Sequence, residues 1–343
     1  MTRDFTWRDA GRTVVFRRGA VEAAVDVLCE QGVAEFELLS TERALAGAPK
    51  LAAAARGVHE VAPGQVPAAA ASLLGALAPP DLPGEGVRVR PLVALGGGRV
   101  VDVAKAVASV SGALVVALPT TMSGAEMTGS HRLPEGAEDR VRGFVRPALV
   151  VADPEAMTSA PEADLRESSM NALAHGADTL YLPLSNPVSE MAALRGAGLI
   201  AGALDQERET RDRAALALGS ILCGYAIDSA GMGLHHLACQ SLVRLCGTPH
   251  AGTNAAVLPH AVALLAGRAP GAYEPFAAAI GTDLDGLPAR ITQLGRPRSL
   301  SELGGDRTKL DDAIEAMLQR PELQRVPSPP SREELTDLVA KAW

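Results

Sequence analysis

Aromatic side chains are scarce in this chain: two Trp, three Tyr and five Phe among 343 residues. Ala, Gly, Leu and Val dominate instead, a bias that reads as compositional rather than functional. Cysteine is scarce too. Cys29, Cys223, Cys239 and Cys246 form no CxxC pair, which points to buried or incidental thiols in a reducing cytoplasm. Positive charge is in deficit. The net charge of −8 and the lack of a basic stripe argue against a nucleic-acid partner. No apolar run reaches membrane-spanning length; the longest helical candidate, Ala214 to Ile227, is bounded by Arg213 and Asp228. Met1 to Trp7 lacks the charged-then-apolar layout of a secretory leader, so neither a membrane nor export is expected. No internal repeat is present.

What is there supports a large core. Hydrophobic residues make up 47% of a length that suits two domains. The first half alternates strand and helix. Strands are expected at Thr13–Phe16, Glu35–Leu39, Val58–Val61, Val93–Leu95, Leu114–Leu118 and Pro147–Ala152. Helices are expected at Ala20–Gln31, Thr41–Ala55, Ala68–Ala78 and Val100–Ser109, with a loop over Pro79–Gly86. Such alternation implies a parallel, doubly wound sheet that binds ligands beyond its strand carboxyl ends. After Pro161 helical patterns take over, at Ser168–Tyr181, Ser189–Leu204, Thr210–Ile227, Met232–Leu245 and Ala255–Ala266. The expected division is therefore an α/β domain over 1–156 and an all-α domain over 157–343. Leu133–Gly143 and Pro321–Pro330 are weakly patterned.

The run Ala94-Leu95-Gly96-Gly97-Gly98-Arg99 joins an apolar strand to a helix that carries Asp102 and Lys105. Glycines at a strand-to-helix turn let backbone N–H groups approach an anion, and the helix N-terminus adds positive potential. A dinucleotide pyrophosphate site is the expectation. Ser40-Thr41 and Pro119-Thr120-Thr121 also fall at strand carboxyl ends.

Five of the seven histidines lie in the helical half: His175, His235, His236, His250 and His260. Asn171 and His175 share a helix face, and His236 and Gln240 repeat that spacing. His250 precedes Ala251-Gly252-Thr253-Asn254, read as a turn leading into a helix. Several helices, each offering one inward polar group, build catalytic and metal sites in helical domains.

Together Gly96-Gly97-Gly98, Pro119-Thr120-Thr121-Met122-Ser123-Gly124-Ala125-Glu126-Met127-Thr128, Asn171-Ala172-Leu173-Ala174-His175, His235-His236 and Pro249-His250…Pro259-His260 form an ordered set. In order and spacing the set resembles the iron-containing alcohol dehydrogenase superfamily, and most of all its maleylacetate reductase branch. The resemblance spans nearly the whole chain. It implies the dehydroquinate synthase-like fold, a cleft between two domains, a homodimer, and reduction of a small carboxylate substrate by NADPH or NADH.

The resemblance places Gly96, Gly97, Gly98, Asp102, Thr120, Thr121 and Ser123 along the cofactor. Arg99 stands where the family has Ser and could pair with the pyrophosphate. Ser40, Thr41 and Arg43 replace the acidic residue that commonly holds the ribose hydroxyls, which favours NADPH. Metal-dependent members use one Asp and three His, which become Asn171, His175, His236 and His250 here. The lost carboxylate leaves a degenerate site, so no metal is expected. His236 and His250 are the favoured proton donor or electrophile, with His175 and His235 as further candidates. Asn171 and Gln240 would hydrogen-bond, Gln240 standing where the family has a further histidine. Met122 replaces a Tyr beside the substrate, and Arg132, Arg140, Arg142 and Arg146 could clamp a carboxylate. Two alternatives stay open: a non-redox enzyme on the same scaffold, and a metal-dependent dehydrogenase using His175, His236 and His250.

Overall fold

The computed structural model describes residues 11–78 and 89–343. The predicted loop over Pro79–Gly86 lies outside them. The chain divides into two compact units, the first ending at Ser159 and the second running from Ala160 to Trp343. The sequence placed the division after residue 156. The added residues follow a short helix whose cap, Asp153, also accepts the Gly19 and Val21 N–H groups, tying this stretch to the first unit.

The first unit runs β1 (Thr13–Phe16), α1 (Ala24–Glu30), β2 (Glu37–Ser40), α2 (Glu42–Ala46), α3 (Pro49–Ala54), β3 (Gly57–Glu60), α4 (Val66–Leu77), β4 (Leu92–Gly96), α5 (Gly98–Ser111), β5 (Val115–Pro119), β6 (Leu149–Ala152) and α6 (Pro154–Met157). The six strands form one parallel sheet in the order β1-β6-β5-β4-β2-β3. β4 and β5 are buried on both faces, which explains their unbroken apolar runs. Alternate side chains feed two cores. Leu92, Ala94, Val115 and Ala117 join α4 and α5, while Val93, Leu95, Val116 and Leu118 join α1 and α3.

The expected helix over Thr41–Ala55 is two helices. Gly47 ends α2, and Pro49 opens α3, where its missing N–H costs nothing. The weakly patterned Leu133–Gly143 holds only a short 3₁₀ turn, Glu138–Arg140.

The second unit is helical: α7 (Glu162–Thr179), α8 (Pro187–Leu204), α9 (Arg213–Ala230), α10 (Leu234–Cys246), α11 (His250–Arg268), α12 (Pro270–Ala279), α13 (Leu287–Gly295), α14 (Leu310–Leu318) and α15 (Arg332–Ala342). α7 is the central helix, buried from Leu165 to Thr179 and packed against α8, α9, α10, α11 and α13. α11 begins at His250, not at Ala255: residues 251–254, read as a turn, are its first turns. Among the described residues no single helix is long and apolar enough to cross a membrane.

Candidate active site

In the first unit, β4 delivers Gly97 to the N-cap of α5. That helix has no side-chain cap and no acidic residue in its first turn. The turn is built for close approach. A Cβ on Gly97 would lie 3.2 Å from the Thr121 methyl carbon, and one on Gly98 only 2.8 Å from Ser123 Cβ. Thr121 and Ser123 thus lie against the glycines, and Thr120 donates its N–H to the Gly96 carbonyl at 3.0 Å. Arg99 sits half-buried in the first helical turn. A cation beside the positive end of a helix dipole is unfavourable until an anion joins it. Asp102 pairs with Lys105 at 2.7 Å.

Ser40 is fully buried, and its hydroxyl donates to the Leu95 carbonyl at 2.7 Å. Thr41 caps α2 by accepting the Ala44 N–H. Met122 is fully buried. Arg140 and Arg142, expected as substrate clamps, lie at helix C-termini. Arg140 donates to the carbonyl of Ala78, the C-cap of α4, at 2.9 Å, and the Arg142 N–H bonds the Ser109 carbonyl at 2.9 Å. Arg142 thus stands by the C-terminal end of α5, whose 14 residues span about 20 Å from the glycine turn. Arg132 is exposed, and Arg146 lies over Gly129 in the loop that follows Ser123.

In the second unit, Asp178 organises the histidines. This carboxylate is wholly buried on α7, one turn after His175. It accepts the N–H groups of Gly233, His235 and His236 at the N-terminus of α10, and the Tyr181 hydroxyl at 3.3 Å. Gly233 makes the approach possible, since a Cβ there would overlap Tyr181 Oη and lie 2.8 Å from Asp178 Cγ. Asp178 Oδ2 also meets His236 Nδ1 at 2.7 Å. With four other donors on the carboxylate, Nδ1 must carry the proton. His236 Nε2 then holds a lone pair, buried and without a hydrogen-bond partner.

His175 stacks on His236, their ring centroids 4.7 Å apart. His235 turns away: its Nε2 reaches the Asn254 carbonyl at 3.0 Å and Cys239 Sγ at 3.4 Å. Burial first pushes both His235 and His236 down to about 3, joined by His236 and more weakly His250 for His235, and by His250 for His236. Burial, then His236 and His235, holds His175 well below its ordinary value. Burial raises Asp178, against the pull of His235 and the α10 N–H groups. Held down in this way, His236 presents Nε2 as an acceptor, where the sequence favoured it as proton donor or electrophile. His250 is exposed on the first turn of α11, within electrostatic reach of the other three histidines. Gln240 is engaged, donating to Met232 Sδ at 3.0 Å and accepting from Arg320 at 3.2 Å. Asn171 is buried one turn before His175.

Of the four positions that the resemblance gives to a metal, His175 Nδ1 and His236 Nε2 are buried without hydrogen-bond partners, and Asn171 replaces the carboxylate. Among the described residues, the trio of potential ligands whose atoms lie within 4.8 Å of one another is Asp178, His235 and His236. Asp178 is saturated by donors, while the His236 Nδ1–H that it accepts leaves Nε2 as that ring's lone-pair atom. Asn171 supplies no charge to a cation. Sequence reasoning missed Asp178, Tyr181, Lys105 and Glu126. The signal for Asp178 was its place on the His175 face of an alanine-rich helix; Lys105 and Glu126 stood unassigned inside quoted motifs.

Comparison with known proteins agrees with this layout. The family model "Fe-containing alcohol dehydrogenase family, C-terminal" matches residues 166–343, and the model "Iron-containing alcohol dehydrogenase" matches 15–161. The chain belongs to the iron-containing alcohol dehydrogenase family. Within this family of oxidoreductases it is similar to maleylacetate reductase 1 of Rhodococcus opacus, at 35% identity over 264 residues, 74% of this chain and 72% of the relative. The solved maleylacetate reductase of Agrobacterium tumefaciens superposes with a TM-score of 0.83 at 29% identity, over 100% of this chain and 99% of that one. An iron-containing alcohol dehydrogenase from Corynebacterium glutamicum gives 0.85 at 29% identity, over 100% and 97%. The family's fold is the predicted one, a parallel-sheet unit followed by a helical unit.

Proposed function

We propose that this protein is a metal-independent NAD(P)H-dependent reductase of a small carboxylate-bearing enone or ketone, with maleylacetate as the reference substrate. The observation that carries the reading is the β4–α5 turn, an uncapped helix N-terminus with Arg99 in its first turn and Thr121 and Ser123 against Gly97 and Gly98. Those N–H groups and the guanidinium would hold the cofactor pyrophosphate. Bound there, the dihydronicotinamide supplies a hydride to an electrophilic carbon. For maleylacetate, uptake of that hydride and one proton gives 3-oxoadipate.

The helical unit's residues handle the proton. Asp178 fixes His236 with Nε2 as an acceptor, suited to orient a water or a substrate hydroxyl. His250 is exposed and can recover a proton from solvent, so we assign it as the donor. Arg132 and Arg146 remain for the carboxylate. NADPH is favoured over NADH because the carboxyl end of β2, Leu39-Ser40, has no acidic residue and leads into Thr41 and the exposed Arg43. Free thiols at all four cysteines fit a reducing cytoplasm, and the resemblance supports a homodimer.

The test is titration of the purified protein with NADPH and NADH, followed by turnover of maleylacetate before and after chelation. Tight binding and chelator-resistant turnover support the reading. Turnover that dies with the chelator and returns with zinc or iron replaces it with metal-dependent chemistry, and turnover without nicotinamide replaces it with a non-redox enzyme.

A further inference from the structure

The loop after β5 carries a buried charge network that the proposed reaction does not use. Lys105, wholly buried on α5, donates to the carbonyls of Ala125 at 3.0 Å, Thr128 at 3.1 Å and Ser130 at 2.8 Å. Its pairing with Asp102 anchors it, so the ammonium pins the loop to the helix that begins at the glycine turn. Inside this loop lies Glu126, with no exposed surface. Its Oε2 accepts from the Ser123 hydroxyl at 3.3 Å, while its Oε1 has no hydrogen-bond partner. Ser123 Oγ in turn accepts the Ala125 N–H at 3.3 Å, and a Cβ on Gly98 would come within 2.9 Å of it. One hydroxyl therefore links a buried carboxyl to the first residue of α5.

A carboxylate only accepts hydrogen bonds, so an ionised Glu126 keeps the Ser123 hydroxyl hydrogen for itself. A protonated one can donate instead. An anion settling on the turn would repel the carboxylate and favour the protonated form. We propose that Glu126 takes up a proton when a nucleotide pyrophosphate binds at the β4–α5 turn, releasing the Ser123 hydroxyl to donate to the phosphate. This rests on the nucleotide reading of the turn. Glu126 acts through Ser123 and is a positioning residue. The charged and titratable groups around it are Asp102 and Lys105 on α5, Arg12 ahead of β1 on the Met127 carbonyl, His131 in the loop, and Arg146 over Gly129. Burial lowers His131. Burial raises the Glu126 carboxyl to about 7, outweighing the pull of Lys105 and Ser123, so the proton is exchangeable at neutral pH.

The experiment is calorimetric titration of the whole protein with NADH from pH 6 to 8.5, in buffers of differing ionisation enthalpy. NADH avoids the phosphate monoester of NADPH, whose second ionisation falls at about 6. The expected result is uptake approaching one proton above pH 7, with Kd weakening toward about tenfold per pH unit there. Glu126→Gln should bind with no uptake and a flat Kd. Difference infrared spectra, nucleotide-bound minus free, should show a protonated-carboxyl C=O band in the wild type, a readout that stands even if the variant fails to fold. Binding without proton uptake, or uptake that survives in Glu126→Gln, overturns the Glu126 step alone. No binding at any pH overturns the nucleotide reading and this step with it.

Discussion

At the residue scale the site turns on Asp178, whose carboxylate satisfies three backbone N–H groups, one hydroxyl and one imidazole. An amide in its place cannot accept all five donors, because its NH₂ faces donors. Asp178→Asn should release the His236 tautomer and lower kcat by about 10²-fold, the range for a misplaced acid–base group, with little change in nucleotide affinity. Nitrogen NMR of the imidazole should show Nδ1–H at His236 in the wild type and a mixture in the variant. An Nε2–H wild type would sink the assignment. Gly233→Ala tests the same contact from the other side. Its Cβ would overlap Tyr181 Oη, so thermal unfolding should show a loss of about 1–3 kcal/mol and activity should fall with it. Little of this was legible beforehand. The sequence shows that His235 and His236 are adjacent, but only the rotation of α10 about its axis decides that one meets Asp178 and the other the Asn254 carbonyl.

At the scale of the element, α5 shows what pattern can and cannot reveal. Its start was readable, because three glycines after an apolar strand have few other uses. Its far end was not. Arg140 and Arg142 belong to a charged loop whose path no periodicity fixes, and the chain returns along the helix to its C-terminal end. Replacing both by Ala should leave KM for the carboxylate substrate within about twofold, as expected for surface positions away from a site. Arg132→Ala and Arg146→Ala should each raise KM by about tenfold or more, the loss of a charge-assisted hydrogen bond. Initial-rate kinetics on the four positions decides it, and a KM that follows Arg142 instead would return the clamp to the far end of α5. The expected helix over Thr41–Ala55 failed for a simpler reason: Pro49 was read through, although it can only open a helix there.

At the scale of the whole molecule, the order of strands and helices was legible as far as α11, because strands such as β4, β5 and β6 are short apolar runs and helices such as α7, α8 and α9 are alanine-rich. Proton balance was not, since it depends on which polar groups end up dry. The three clustered histidines and Glu126 shift in opposite directions. In the helical unit His235 and His236 are held down to about 3 and His175 well below an ordinary value of 6.5, by burial first. Their folded values lie below the unfolded ones, so their contribution to stability is complete above 6.5 and is lost as pH falls below it. In the α/β unit Glu126 is raised from 4.5 to about 7, so its contribution is complete below 4.5 and is lost as pH rises through 7. As pH falls below 6.5 these three histidines therefore favour the unfolded chain, while Glu126 pulls the other way until it is protonated in both states. The loss is not shared. Hydrogen exchange at pH 5.5 against pH 7.5, corrected for intrinsic rates, should show protection falling in α7, α10 and α11 while β4, α5 and β5 hold or gain. Equal loss in both units would mean that the histidines are not the buried neutral groups described, and that acid acts on the molecule as a whole.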